Sequence, residues 1–235
     1  MPDTSRNADE QRRIEDVSRL EPLDRQFYMV DGLTLAKSLI GKLLVHDSPE
    51  GLTAGVIVET EAYMGPSDRA AHTWRGRRTH RTEVQFGPGG HAYVYFIYGM
   101  HYCFNVVANA PGIPEVALVR ALDPVAGLDL MARRSESRVN RMLCSGPGRL
   151  CRAMGIGRQH NGIDLCGKQL FVCEPPASMF GGSLKIQCTS RIGIDYAGEA
   201  KNYPWRFVLQ GNPCVTKMPH SKGAPGRSRP APPEA

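Results

Sequence analysis

Two runs of aromatic and β-branched residues, separated by only two residues, constrain this chain more than any other feature of its sequence. The runs are HAYVYFIY over residues 91–98 and HYCFNVVA over residues 101–108, with Gly99 and Met100 between them. Aromatic and β-branched residues favour strands, and so short a connection joins only antiparallel neighbours. The sequence therefore predicts a tight β-hairpin.

Further strands are predicted along the chain, and they do not alternate regularly with helices. The predicted strands span residues 43–47, 54–63, 115–122, 169–174, 184–188 and 205–210. Helices are predicted over residues 33–40, where Asp31 caps the start and Gly41 the end, and over residues 125–135 and 146–154. This order predicts the α+β class: a single domain around a curved, mostly antiparallel β-sheet with flanking helices.

The two ends of the chain differ in composition from its middle. Residues 1–20 are charged and poor in apolar residues, and residues 220–235 are rich in Pro, Gly and Ser. Such segments bury too little apolar surface to order, so both are predicted to be disordered tails around a domain at residues 21–219. We find no secretory segment and no apolar run of about 18 residues that could cross a membrane, so the expected location is the cytoplasm.

Cysteine usage and motif content exclude several common classes of protein. The chain has seven cysteines, an odd number, and no Cys-x-x-Cys pair. This spacing predicts reduced thiols, with neither a zinc site nor a disulfide framework. The sequence also lacks the phosphate-loop, nucleophile-elbow and zinc-protease motifs. We therefore expect no metal and no cofactor.

Arginines are concentrated in two stretches of a chain whose net charge is +6. Residues 69–81 contain no acid, and residues 133–158 carry seven arginines against Glu136 alone. Guanidinium groups bind phosphate with two parallel hydrogen bonds, so these clusters predict a polyanion partner. A solvated basic face is the alternative. The residues predicted to contact a DNA backbone are Arg75, Arg77, Arg78 and Arg81.

Two glutamates stand near the first arginine stretch, on the predicted strand 54–63. Glu59 and Glu61 are two residues apart, so they face the same side of the sheet. A carboxylate facing phosphate is electrostatically unfavourable, and activation of water as a general base is the obvious reason to place one there. A structural ion pair with an arginine is the alternative for either glutamate.

Aromatic residues accompany these charges: Tyr63, His72, Tyr93, Tyr95 and Tyr98. Exposed aromatic rings near arginines are typical of nucleic-acid binding, because a stacked base contributes about 1–3 kcal/mol. Tyr98 lies at the predicted hairpin tip, where a bulky ring gains little by folding into a core. Ordinary packing across the two strands is the alternative for Tyr93 and Tyr95.

Five segments resemble, in the same order, the alkyladenine DNA glycosylases. They are VETEAYMGPSDRAAH (58–72), GHAYVYFIYGMHYCFNVV (90–107), LVRALDP (118–124), LCSGPGRLCRAMGI (143–156) and RIGIDYAGEAKNYPWRF (191–207). The resemblance implies a monomeric, monofunctional repair enzyme whose hairpin enters the minor groove of duplex DNA. It further implies flipping of 3-methyladenine, 7-methylguanine or hypoxanthine from the duplex and hydrolysis of the N-glycosidic bond, which leaves an abasic site.

The resemblance assigns catalytic roles to three positions. Glu61 corresponds to the glutamate that activates water, and Arg120 and the backbone of Ile192 resemble the groups that help to hold that water. Glu59 is left with a structural role. Gln85 stands where the family usually has an apolar residue near the base opposite the lesion.

The resemblance assigns the base pocket as well. Tyr63 and His72 correspond to the residues that sandwich the flipped base, and Tyr95 closes the edge of the pocket. Tyr98 corresponds to the wedge that fills the vacated stack. Asn105 matches an asparagine that disfavours purines with a 2-amino group.

Two alternative functions remain open at this stage. A bifunctional glycosylase and lyase would need an amine nucleophile. Lys185 and Lys201 are the lysines near apolar runs in the second half, and neither lies in the motif of glutamates and aromatic residues. A catalytically inert protein that binds damaged DNA is the other alternative, and the presence of Glu61 argues against it.

Overall fold

The computed structural model describes residues 4–135, 140–176, 179 and 184–216, and one sheet of eight strands organises them. The strands are β1 (Leu43–Ser48), β2 (Gly51–Tyr63), β3 (Ala92–Ile97), β4 (His101–Ala108), β5 (Glu115–Ala126), β6 (Leu170–Cys173), β7 (Ile186–Thr189) and β8 (Arg206–Leu209). The α-helices are α1 (Thr4–Ser18), α2 (Arg25–Tyr28), α3 (Gly32–Ser38), α4 (Leu128–Ser135), α5 (Asn140–Leu143) and α6 (Pro147–Met154). Short 3-10 helices span Gly65–Ser67, Trp74–Gly76, Glu83–Phe86, Arg158–His160 and Asp195–Asn202.

The sheet runs in the order β3-β4-β5-β2-β1-β6, while β8 pairs with both β2 and β7. Each of these pairings is antiparallel. The predicted class, a single domain of mixed helices and strands on an antiparallel sheet, is therefore confirmed. None of the helices in the described part of the chain is long and apolar enough to cross a membrane.

Both faces of the central strands are buried, because alternate residues of each strand point to opposite sides. On β1, Leu43 and Val45 belong to one apolar cluster and Leu44 to another. The cluster that contains Leu44 also includes Leu35 of α3 and Leu150 of α6, so it packs both helices against the sheet. The sheet is therefore a middle layer with apolar packing on both of its faces.

The segment 1–20, predicted to be a disordered tail, contains the helix Thr4–Ser18 in the structure. Val17 is buried in the cluster that contains Leu43 and Val45, and Ile14 and Leu20 pack against the same cluster. These three residues are spaced by three, so they form an apolar stripe on a segment whose overall composition is polar. Contact with the sheet then orders the segment. The predicted tail at residues 220–235 lies outside the described residues.

Local sequence features determine the hairpin and the start of α3. The last hairpin pair is Ile97 opposite His101, so the loop has three residues rather than the predicted two. Tyr98 has a φ of 55° and Gly99 a φ of 68°. A turn with residues in this left-handed region has a twist that matches the right-handed twist of the two strands it joins. As predicted, the Asp31 side chain caps α3 by accepting hydrogen bonds from two backbone N–H groups. The helix α4 begins later than predicted because β5 continues to Ala126.

Candidate active site

One face of the sheet collects the predicted site residues, because four strands pair in register there. Glu61 on β2 lies opposite Leu118 on β5, Leu118 lies opposite Asn105 on β4, and Asn105 lies opposite Tyr93 on β3. Directly opposed residues point to the same face, and so do residues two apart along a strand. Tyr63 and Tyr95 therefore join the same face.

The carboxylate of Glu61 is fully buried and held by three donors. Its Oε1 accepts a hydrogen bond of 2.7 Å from the backbone N–H of Ile192, and Arg120 lies 3.2 Å from the same oxygen. Its Oε2 accepts a hydrogen bond of 2.8 Å from the Tyr63 hydroxyl. A carboxylate has about four acceptor positions. The arrangement therefore leaves about one position for a further donor such as a water molecule.

A β-bulge aims Arg120 at both glutamates. Glu59 is paired with Ala121 and Thr60 with Val119, so Arg120 is the extra residue on β5 at this point. A bulge re-aims the side chain of the extra residue. Arg120 donates to Glu59 at 2.8 Å as well as contacting Glu61. Burial alone would lower the pKa of Arg120, but Glu61 and Glu59 outweigh burial and raise it, so the guanidinium stays charged.

Glu59 serves as the centre of a buried ion cluster. Its Oε1 accepts hydrogen bonds of 2.8 Å from both Arg120 and Arg206. The backbone N–H of Thr216 donates to Oε2 at 2.7 Å, and the Thr216 hydroxyl also donates to the carboxylate. Burial would raise the pKa of Glu59, but the two arginines and Thr216 outweigh burial and lower it. The expected ion pair between Glu59 and an arginine is confirmed, and the two glutamates have different environments.

Aromatic rings form a partly open chamber beside Glu61. The ring of His72 meets the rings of Tyr95 and Tyr93 edge to face, at centroid distances of 4.7 Å and 6.1 Å. Tyr63, His72 and Tyr95 are each partly exposed, whereas Tyr93 is buried behind them. Burial, reinforced by Arg81 and Arg77, lowers the pKa of His72 to about 4. The ring is therefore neutral near physiological pH.

A buried arginine that the sequence analysis did not select supports the Tyr63 side of the chamber. The guanidinium of Arg191 lies 4.8 Å from the ring centre of Tyr63 and 5.0 Å from that of Trp205. It forms a buried ion pair with Asp68 at 2.5 Å. Arg191 directly precedes Ile192, so this pair anchors the backbone N–H that holds Glu61. Asp68 and Arg191 lie in two of the segments that resemble the glycosylase family, but nothing in their local sequence indicates that they form an ion pair.

Asn105 and Gln85 are buried around Tyr93 rather than displayed at the surface. The Nδ2 of Asn105 donates a hydrogen bond of 3.0 Å to the backbone carbonyl of Tyr93. Gln85 is 2% exposed. The expectation that Gln85 lies near the base opposite a lesion stays a prediction.

The hairpin tip carries large apolar side chains in solvent. Tyr98 is 66% exposed, and Met100 and Phe96 are exposed to 64% and 50%. The exposure of Tyr98 fits the prediction that it is not a core residue. Phe96 and Met100 were missed, although exposed apolar residues at alternate positions of a hairpin indicate a binding surface.

Comparison with known proteins identifies the family. A model of the family described as methylpurine-DNA glycosylase matches residues 26–213. The chain belongs to the methylpurine-DNA glycosylase family. It is 48% identical over 204 residues to a Clostridium acetobutylicum protein named as a 3-methyladenine DNA glycosylase, covering 83% of this chain and 98% of the relative. A Desulfitobacterium hafniense protein of the same name is 46% identical over 205 residues, covering 84% of this chain and 99% of the relative.

A third relative supports the same assignment. A Bacillus cereus protein of the same name is 46% identical over 198 residues, covering 81% of this chain and 97% of the relative. The family establishes that the chain is a DNA glycosylase, an enzyme of DNA repair that acts on a DNA substrate. The predicted family and class of enzyme are thus confirmed.

The predicted arginines of this glycosylase have different surroundings. Arg75 and Arg77 are exposed, whereas Arg78 forms an ion pair of 2.6 Å with Glu83. The guanidinium of Arg81 lies 4.8 Å from the ring centre of Tyr95, at the edge of the chamber. In the second arginine stretch, Arg149 and Arg152 line a groove beside His101, the first residue of β4, while Arg138 lies outside the described residues.

The described part of the glycosylase contains no group of three or more His, Cys, Asp or Glu residues that could hold a metal ion. The amines of Lys185 and Lys201 are not among the groups that contact Glu61, and both residues are exposed. The chemistry that the chamber offers is therefore a buried carboxylate, a charged guanidinium and a backbone N–H facing a set of aromatic rings.

Proposed function

We propose that this DNA glycosylase is monofunctional and excises 3-methyladenine, 7-methylguanine and hypoxanthine from duplex DNA, with Glu61 as the base that activates water. The observation that carries the proposal is the Glu61 carboxylate, held by Tyr63, Ile192 and Arg120 with about one acceptor position left. A water molecule in that position would lie beside the aromatic chamber. One pocket and one hairpin serve one lesion, so we propose that the enzyme acts as a monomer.

The chamber suits a flipped purine. The rings of Tyr63 and His72 would stack on its two faces and Tyr95 would close the edge. Alkylation at N3 or N7 gives the purine a positive charge, which favours contact with the electron-rich face of a tyrosine and makes the base a good leaving group. The neutral ring of His72 adds no repulsion to such a cation, because its pKa is lowered to about 4 by burial.

Extrusion of the nucleotide would depend on the hairpin. Unstacking and unpairing a base costs a few kcal/mol. Tyr98, exposed at the tip, would offset this cost by stacking in the vacated position, as apolar wedges do in the minor groove. Arg75, Arg77, Arg78 and Arg81 would contact the phosphates, with Arg78 leaving Glu83 to do so.

Hydrolysis would then use the groups around Glu61. The carboxylate would accept a proton from water as the water attacks the sugar carbon, and its remaining charge would stabilise the oxocarbenium-like transition state. Arg120 and the Ile192 N–H keep the carboxylate in place. An alkylated, cationic purine leaves as a neutral base, whereas hypoxanthine leaves as an anion and takes up a proton from solvent. The other product is an abasic site.

Asn105 would select among purines. Its bond to the Tyr93 carbonyl holds the amide in one position, so it cannot turn away from an approaching 2-amino group. A buried donor left without a partner costs about 1–3 kcal/mol, which corresponds to a discrimination of about tenfold or more.

The test is a single-turnover assay on duplexes that contain each lesion. We expect Glu61→Gln to keep binding lesion DNA and to lose about 10²–10⁴ in excision rate, the usual contribution of a general base. The matched control is Glu21→Gln, which removes an exposed carboxylate paired with Lys168. Excision by Glu61→Gln at the rate of the control would contradict the assignment. A covalent adduct trapped with borohydride would favour the lyase.

A further inference from the structure

The buried ion pair between Asp68 and Arg191 connects segments on both sides of the chamber. Neither side chain is exposed to solvent. The two groups meet through two parallel hydrogen bonds, from Nη1 to Oδ2 at 2.5 Å and from Nη2 to Oδ1 at 2.9 Å. Two parallel bonds between planar groups fix their relative orientation as well as their distance. The pair is therefore a rigid connection between the segment after β2 and the segment after β7.

On one side of the pair, the carboxylate of Asp68 organises the chain between the two proposed walls of the base pocket. It accepts hydrogen bonds from the backbone N–H groups of Met64 at 3.2 Å and of Ala70 at 3.0 Å. Met64 directly follows Tyr63, and Ala70 lies two residues before His72. Asp68 thus closes the segment that separates the two walls, and the fold of this segment sets the spacing of their rings.

On the other side of the pair, the guanidinium of Arg191 holds the backbone on both sides of the Glu61 carboxylate. Its Nη1 donates a hydrogen bond of 2.9 Å to the carbonyl of Ala62, the residue between Glu61 and Tyr63. The guanidinium also lies 4.8 Å from the ring centre of Tyr63. Because Arg191 directly precedes Ile192, the same contacts hold the backbone N–H that donates to Glu61 at 2.7 Å.

The energetics of the pair favour a geometric role over a stabilising one. Burial alone would lower the pKa of Arg191, but Asp68 outweighs burial and raises it, so the guanidinium stays charged. A buried ion pair gives little net stability, because removing two charges from water costs about as much as their attraction gains. Apolar residues of similar volume often stabilise a protein as well. What the pair adds to the fold is therefore a connection of fixed length and orientation.

We propose that Asp68 and Arg191 are positioning residues of the glycosylase reaction. They hold Tyr63, the segment that leads to His72 and the backbone donor of Glu61 in fixed relative positions, so that a flipped base meets the carboxylate at reacting distance. This inference rests on the proposed roles of Glu61, Tyr63 and His72. A displacement of about 1 Å can reduce a reaction rate about 100-fold. Lesion-DNA binding should change much less, because phosphate contacts supply much of the affinity.

The variant Arg191→Lys separates the planar fork from the charge. A lysine can still pair with Asp68, but it cannot form two parallel bonds or lie flat against a ring. We expect the single-turnover rate at saturating enzyme to fall about 10–100-fold, with little change in the affinity for the lesion duplex measured before excision proceeds. The matched control is Arg25→Lys, which makes the same change in the ion pair between Arg25 and Asp164. Equal rates in the two variants would overturn the proposal.

Variants that remove charge separate positioning from stability. Asp68→Asn leaves a buried guanidinium unpaired and Arg191→Met leaves a buried carboxylate unpaired, so each should lower the Tm by about 6–20 °C. The double variant contains neither charge, so its Tm should lie above that of either single variant. Its excision should nevertheless stay slow, because the two parallel bonds are still absent.

The rates are compared at a temperature where each variant is folded. Recovery of excision together with Tm in the double variant would show that the pair only stabilises the fold, and would overturn the proposal. Arg191→Lys retains both charges, so the test does not depend on the folding of the variants that remove them.

Comparison with Glu61→Gln distinguishes this proposal from the proposed function. If Glu61→Gln excised lesions at the wild-type rate, the proposed function would fail. If Glu61→Gln lost excision while Arg191→Lys and the double variant kept it, only the positioning role of Asp68 and Arg191 would fail.

Discussion

The substitution Glu59→Gln tests whether the two neighbouring glutamates have separate functions. Glu59 is fully buried and accepts hydrogen bonds of 2.8 Å from both Arg120 and Arg206, which are themselves buried. With Glu61 the cluster contains two carboxylates and two guanidinium groups, so its charges balance. The variant keeps the shape of the side chain but leaves one buried positive charge without compensation.

The expected effect is a large loss of stability. Removing one partner of a buried ion pair costs about 3–5 kcal/mol. For a protein of this size about 1 kcal/mol corresponds to about 2–4 °C in Tm, so the Tm should fall by about 6–20 °C. Glu61→Gln should cost less, because Arg120 lies 3.2 Å from Glu61 and keeps its 2.8 Å bond to Glu59.

The assay combines thermal melting with single-turnover excision at a temperature where each variant is folded. Glu59→Gln should show the lower Tm and retain measurable excision, whereas Glu61→Gln should show the higher Tm and lose excision. Since the same chemical change is made two residues apart on one strand, each variant is a control for the other. A wild-type Tm in Glu59→Gln, or a lower Tm in Glu61→Gln, would refute the reasoning.

Three further predictions concern the wedge, the purine selection and the pH dependence of stability. Tyr98→Ala should cost about 1–3 kcal/mol in flipping of a fluorescent lesion base, whereas Ile113→Ala, an exposed change in the loop between β4 and β5, should leave flipping unchanged. Equal flipping in both variants would argue against the wedge. Asn105→Ser should raise excision of mismatched guanine relative to hypoxanthine; a lower Tm with an unchanged ratio would show that the bond to Tyr93 is purely structural. Burial and Arg134 lower the pKa of His46, so folding favours its neutral form. The Tm of the wild type should therefore fall as the pH drops below about 6.5. The fall in Tm should be smaller in His46→Leu, and a fall of the same size would exclude His46 as its cause.

The sequence by itself determined the features that depend on neighbouring residues. The hairpin followed from two strand-forming runs joined by a short connection, and the start of α3 followed from Asp31, whose side chain accepts hydrogen bonds from the first turn. The exposure of Tyr98 followed from its position at the tip. These features need only local propensity and capping, which a few consecutive residues encode.

Local reasoning does not show where a distant part of the chain buries a residue. Residues 1–20 have the composition of a disordered tail, but Val17 is buried against the sheet and the helix Thr4–Ser18 forms. Gln85 is polar and lies in a segment rich in charge, but tertiary packing buries it. Composition describes what a segment tends to do alone, whereas burial depends on the surface that it meets.

Only the tertiary structure decided that the two glutamates have different surroundings. The strand pattern places Glu59 and Glu61 on one face and cannot separate them. The bulge at Arg120 and the donors from Thr216, which is 157 residues away in sequence, commit Glu59 to an ion cluster. Glu61 instead lies in register with Asn105 and Tyr93, next to the aromatic chamber. Strand register and bulges are set by contacts between segments far apart in the chain, so no local pattern records them.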